Sequence, residues 1–237
     1  MRATYTLHRR KALKAARLLA RELHSILNGR LLSLSLVGST ARDQPYPRDV
    51  DVIALLRGDV GPEVLVDLWP AVEKVAELLG LKPLVSTGTY YSIAEPRSLY
   101  LMVYSIDDYL EASPILRSMW EKEALALHGK ALARIAGAKA RVAPEDLLYE
   151  RFGVEWCVER AMRGGWSTSI LYYGRGTPGR VWMPERPGGE ALLARYCRKW
   201  VRRHATMIAS EARERREYRW EAEAAIEALT KVVASRS

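Results

Sequence analysis

The chain has 237 residues, 49% hydrophobic and 27% charged, with 37 Lys and Arg against 28 Asp and Glu for a net charge of +9. Such a balance describes an ordinary soluble globular protein, with room for one large domain or two small ones around a buried core. No run approaches the roughly 18–20 apolar residues of a membrane span. The basic N-terminus lacks a signal-peptide core, so a cytoplasmic protein without a membrane partner is expected.

Cys157 and Cys197 are the only thiols and have no CxxC partner, which argues against a disulfide framework or a zinc site. His8, His24, His128 and His204 are scattered and form no HxxxH pair. Asn28 and Gln44 are the single residues of their types, a bias found in heat-adapted proteins and in GC-rich genomes alike. The positive charge is concentrated. Residues 1–30 hold eight Lys and Arg against Glu22, and residues 195–219 hold nine against three glutamates. Basic ends around a mildly acidic middle fit either solvated helix faces or a polyanionic partner such as nucleotide or RNA.

In chain order, Leu7, Leu13, Ala16, Leu19, Leu23, Ile26 and Leu27 recur at helical spacing, and Asn28-Gly29 supplies a stop. Leu31–Val37 and Val50–Leu56 are predicted strands, separated by a loop that contains Pro45 and Pro47. Pro62 suits a helix start, and Val64–Leu79 follows as a helix that Gly80 ends and Pro70 bends or divides. Lys82–Ser86, Tyr90–Ala94 and Leu99–Ser105 are three further predicted strands. After Ile106 the pattern is helical, over 106–111, 114–123, 130–136, 144–163, 189–209 and 211–234. The expected fold class is therefore α/β (α+β), a short mixed sheet flanked by helices over 1–140 and a mainly helical domain over 141–237.

The chemistry is concentrated in "LSLSLVGSTARDQPYPRDVDVIALL", residues 32–56. In a strand Asp49 and Asp51 point one way and Val50 and Val52 the other. Two carboxylates side by side repel and lose hydration unless a cation lies between them, and a hard divalent ion such as Mg²⁺ suits oxygen ligands. An aspartate pair can also be structural, capping a turn or pairing with Arg. The upstream Gly38-Ser39 adds a bare backbone and a hydroxyl at a strand end, where phosphate oxygens can be cradled. Arg42, one turn later, could clamp the same phosphates.

Gly-Ser at a strand end, nine intervening residues (Thr40–Arg48), then Asp-hydrophobic-Asp-hydrophobic resembles the signature of the DNA polymerase β-like nucleotidyltransferase superfamily. "GSTAR" is similar to its minimal nucleotidyltransferase branch, and the resemblance spans about residues 25–110. It implies that Gly38 and Ser39 bind the triphosphate of an NTP (ATP by analogy), while Asp49 and Asp51 hold one or two Mg²⁺. The implied reaction transfers a nucleoside monophosphate to a hydroxyl of RNA, a protein or a small molecule, with release of pyrophosphate.

The pattern departs from the family at two places. A third carboxylate is expected on a later strand, yet "SLYLMVYS" offers Tyr100 or Met102, with Glu95 and Asp107 the nearest acids. Arg48 also replaces the small residue that commonly precedes the first Asp. An alternative is a catalytically degenerate, antitoxin-like or regulatory nucleotide-binding protein of the same fold; a third is an RNA-binding module whose basic helices act alone. Gly174-Arg-Gly-Thr-Pro-Gly179 matches GxGxxG, but Pro178 follows where a helix should open, so a loop or hairpin is expected. "RKWVRRH" (198–204) faintly resembles a helical ribonuclease motif, and Trp166 and Trp182 flank the Gly-rich loop as candidate acceptor-pocket residues.

Overall fold

The structure is a computed structural model that describes residues 7–27, 29–87, 97–111, 114–135, 172–174 and 177–179. The chain divides into two compact units, Met1–Ala112 with Trp120–Lys139 and Thr168–Val181, and Ser113–Met119 with Ala140–Ser167 and Trp182–Ser237. Of the second unit only residues 114–119 are described.

The first helix, α1 (Arg9–Leu27), buries Ala12, Ala16, Leu19, Leu23 and Leu27 on one stripe and turns its Arg and Lys outward. Strand β1 (Leu31–Val37) runs into a single helical turn, α2 (Gly38–Ala41), and a loop leads back to β2 (Val50–Leu56). Helix α3 (Pro62–Leu78) starts with Pro62 in its first turn and passes through Pro70 undivided. Strands β3 (Lys82–Thr87) and β4 (Ser98–Ser105) follow, then α4 (Ile106–Glu111), whose Asp108 amide donates to Ser105 Oγ at 3.0 Å as a cap. Then come α5 (Pro114–Glu123), β5 (Leu125–Gly129), α6 (Leu132–Ile135), β6 (Tyr172–Gly174) and β7 (Thr177–Gly179).

The described strands form one mixed sheet in the order β5-β1-β2-β4-β3-β6-β7. β1 pairs antiparallel with β2 and β5, whereas β2, β4 and β3 run parallel to one another. Alternation divides the strands between two faces. Leu34, Leu36, Val50, Val52, Ala54, Leu99, Leu101 and Val103 join the core made with α1 and α3, including Leu19, Leu68 and Val72. The register places Asp51, Ile53, Tyr100, Met102 and Tyr104 on the other face. There Tyr104 and Tyr109 pack against Trp120, with ring centroids 5.9 and 6.2 Å away.

The predicted strands 31–37, 50–56, 82–86 and 99–105 and the helix starting at Pro62 are present, to within a residue or two at their ends. The helices predicted over 106–111 and 114–123 are present, and α6 lies within 130–136. Of the two roles expected for Pro70, bending or dividing the helix, dividing is excluded. Leu125–Gly129, between the predicted helices 114–123 and 130–136, is a strand that adds to the open edge of β1 and was not predicted. His128 sits within it. GxGxxG forms a hairpin, with Gly174 opposite Thr177. Tyr90–Ala94, Glu95, Cys157, Cys197, His204, Trp166, Trp182 and the helices predicted over 144–163, 189–209 and 211–234 lie outside the described residues. No described helix is long and apolar enough to cross a membrane.

Gly129 closes β5 at φ +71, and a Cβ there would meet the Leu32 carbonyl oxygen, with the Leu32 carbon at 3.0 Å and Ser33 Cα at 3.4 Å. Gly129→Ala is expected to cost about 2 kcal/mol in urea unfolding, since an edge strand relieves the collision by lifting off. Amide exchange should then speed up along β1 and β5 and stay unchanged along β3.

Candidate functional site

The end of β1 and the start of β2 meet because the two strands are antiparallel, with Val37 opposite Asp51. Val37 is extended (φ −128°, ψ −175°), and Gly38 then turns at φ +74, a conformation that favours glycine. The turn is closed by Arg42 N donating to Gly38 O at 3.2 Å and Gln44 N to Ser39 O at 3.2 Å. Thr40, fully buried, donates its hydroxyl to the Asp49 carbonyl at 3.2 Å and so ties the turn to the entrance of β2.

Asp51 is the second residue of β2, and its carboxylate lies against Gly38 Cα. A Cβ at Gly38 would strike Asp51 Oδ2 and stand 3.3 Å from its Cγ. Gly38 is therefore glycine for two reasons, the backbone angle and the carboxylate packed against it. Ser39 Oγ is buried and has no hydrogen-bond partner among the described residues. An orphaned buried hydroxyl on the residue after a bare glycine suits a ligand that brings its own acceptors, as a phosphate does.

Asp49 lies one residue before β2, and both aspartates are half-buried. Both stand at the mouth of the strand, where solvent still reaches them and the desolvation cost of a carboxylate pair is smaller. Among the described residues no group of three or more His, Cys, Asp and Glu is placed to hold a metal ion.

Register decides the third position. Asp51 pairs with Tyr100 on β4, and Met102 pairs with Ile53, one step deeper along the same face. Tyr100 is buried and its hydroxyl is 2.8 Å from Ser86 Oγ on β3. The neighbouring-strand position is thus a hydrogen-bonded phenol. Asp107 follows the far end of β4, where Ser105 pairs with Leu56. Five residues of strand, about 16 Å, separate Tyr100 from Ser105, so Asp107 does not complete the pair.

Arg42 follows the turn as its spacing suggests, but its Nη1 is 2.6 Å from Glu123 Oε2. A phosphate would have to compete with Glu123 for that guanidinium. Glu123, Thr40 and Arg9 were not singled out by the sequence. Arg9 binds Asp43, donates from Nε to Thr40 O at 3.2 Å, and its amide donates to Pro45 O at 3.0 Å, pinning the loop from three sides. No local spacing announces these contacts, since Arg42 and Glu123 are 81 residues apart.

No protein-family profile matches the chain and no curated protein matches it. Solved structures do. A toxin–antitoxin complex with AMP-PNP aligns at 17% identity over 66% of this chain and 95% of its own, with a TM-score of 0.32. The toxin–antitoxin MntA–HepT aligns at 12% identity over 63% of this chain and 94% of its own, TM-score 0.31. A tri-AMPylated Shewanella oneidensis HEPN toxin in complex with MNT antitoxin aligns at 14% identity over 62% and 94%, TM-score 0.29. No residue role is carried across from any of them.

Proposed function

We propose that the protein holds a magnesium–nucleoside triphosphate, ATP in the first instance, at the mouth of β1 and β2. It then transfers the nucleoside monophosphate to a hydroxyl acceptor. The observation that carries this reading is the Asp51 carboxylate seated on Gly38, followed in the chain by the partnerless Ser39 hydroxyl. Gly38 lets phosphate approach the backbone, Ser39 donates to a phosphate oxygen, and Asp49 and Asp51 are the magnesium ligands. Arg42 joins them by exchanging Glu123 for phosphate. When bound, magnesium supplies charge neutralisation on the triphosphate and on the departing pyrophosphate.

In this reaction the acceptor oxygen bonds to the α-phosphorus, the bond from that phosphorus to the α,β-bridging oxygen breaks, and pyrophosphate leaves. The acceptor proton passes to solvent, because β4 presents Tyr100 and no carboxylate beside Asp51. A protein side chain, an RNA end and a small hydroxyl compound are the acceptor classes, in a cytoplasmic setting. Tyr100 favours a second reading, a regulatory or antitoxin-like protein that binds the nucleotide without transferring it.

Magnesium–ATP at 100 times its Kd should add about 2.7 kcal/mol to the stability of the wild type. Asp49→Asn/Asp51→Asn should abolish that gain in thermal unfolding. An equal gain in the double variant would remove the proposed site. Label from α-phosphate-labelled ATP should appear in an acceptor mixture with the wild type only; stabilisation without label selects the second reading.

A further inference from the structure

Helix α1 carries Arg10, Lys14, Arg17 and Arg21 along one exposed row, at spacings of four, three and four residues. At 1.5 Å per residue, successive charges rise by about 4.5–6 Å. They line a groove of about 890 Å³ whose floor includes Leu13, Leu18 and Leu79. None of the four makes an ion pair among the described residues. Glu22, the only acid on α1, is thereby held by Lys74 and does not offset the row.

The groove begins at His8, and an exposed aromatic stands there. Tyr46 is 61% exposed and meets the His8 ring edge-on at 5.3 Å. Arg9 ties this end to the loop between α2 and β2. A regular cationic row, an apolar floor and an aromatic at one end are the parts that single-stranded nucleic acid uses. Phosphates follow the charges, and bases stack on the ring or lie on the floor. An acidic peptide would use the row but has no use for an exposed tyrosine.

We infer that the α1 groove, with Tyr46 at its end, binds single-stranded nucleic acid. This surface is separate from the Asp51 site and does not rest on nucleotide binding there. Four phosphate contacts give a slope of log affinity against log salt near −3. Raising salt from 50 to 200 mM should then weaken binding about 50-fold.

The test uses the full chain with fluorescein-labelled 12-nucleotide RNA and DNA of one sequence, followed by anisotropy. Lys14→Glu/Arg17→Glu should at least halve the salt slope, whereas Arg57→Glu/Lys130→Glu, with the same change of net charge, should leave it intact. Tyr46→Ala should weaken binding roughly tenfold, and Asp51→Asn should not. A preference between RNA and DNA identifies which is the occupant. Equal losses from the two charge-reversed pairs would overturn the inference. So would polyglutamate competing as well as the oligonucleotide with Tyr46→Ala silent, which assigns the groove to an acidic protein.

Discussion

Gly38→Ala is expected to weaken magnesium–ATP binding by 10–100-fold, the range for losing the support of a metal ligand, while costing about 1–3 kcal/mol of stability. Two separate effects produce this. The backbone at φ +74 is strained for any L-residue, and the new Cβ occupies the space of the Asp51 carboxylate. Asp51 is short and its carboxylate is the far end of the side chain, so it can rotate away. Rotation spares the fold and removes the ligand. Gly58 provides the control, with φ +71 and nothing within 4 Å of its Cβ position. Gly58→Ala should carry the same backbone cost in urea unfolding and leave ATP affinity unchanged. Part of the Gly38→Ala loss acts through Asp51, so the losses in the Gly38→Ala/Asp51→Asn double variant should be less than additive. Fully additive losses would mean that the new Cβ leaves the carboxylate in place and acts only on the approach of phosphate to the backbone.

That geometry was legible in the sequence because both halves of it are local. Gly-Ser ends one apolar run and Asp-Val-Asp-Val opens the next, and an antiparallel return brings a strand's end to its neighbour's start whatever the loop between them does. The two core faces were legible for the same reason, from the alternation of Leu, Val and Ile in β1 and β2. Strand β5 was not. "LALHG" is a short run between helices, exposed over most of its length, and only the open edge of β1, about 90 residues earlier in the chain, makes it a strand. The residue beside Asp51 was narrowed to Tyr100 or Met102 but not decided, because it depends on parallel pairing across the intervening α3 and β3. In that pairing a slip of one residue exchanges the faces. The core residues Leu99, Leu101 and Val103 fix the register and place Tyr100 on Asp51's face. The salt bridge from Arg42 to Glu123 has no local signal at all.

Tyr100→Asp is expected to lower stability by about 3–5 kcal/mol in magnesium-free buffer and to make the remaining stability depend on magnesium. The phenol fills buried space and bonds Ser86 at 2.8 Å. Its loss leaves a cavity and removes one hydrogen bond of the buried Ser86 hydroxyl, and the new carboxylate stands on the strand next to Asp51. A carboxylate at buried position 100 and the half-buried one of Asp51 repel, and a divalent cation turns that repulsion into ligation. The thermal midpoint of Tyr100→Asp should therefore rise with added magnesium by more than the wild type's does. Tyr100→Phe, which removes only the hydroxyl and costs about 1 kcal/mol, should show no such dependence. If the transfer chemistry lacks only an acid at this position, Tyr100→Asp with magnesium should also raise the rate of label transfer from α-phosphate-labelled ATP. A Tyr100→Asp protein that unfolds at one temperature with and without magnesium would mean that Asp51 and residue 100 do not share a cation. In that case the phenol is a core residue, and the two aspartates at the mouth of β2 would have to bind the metal without help from β4.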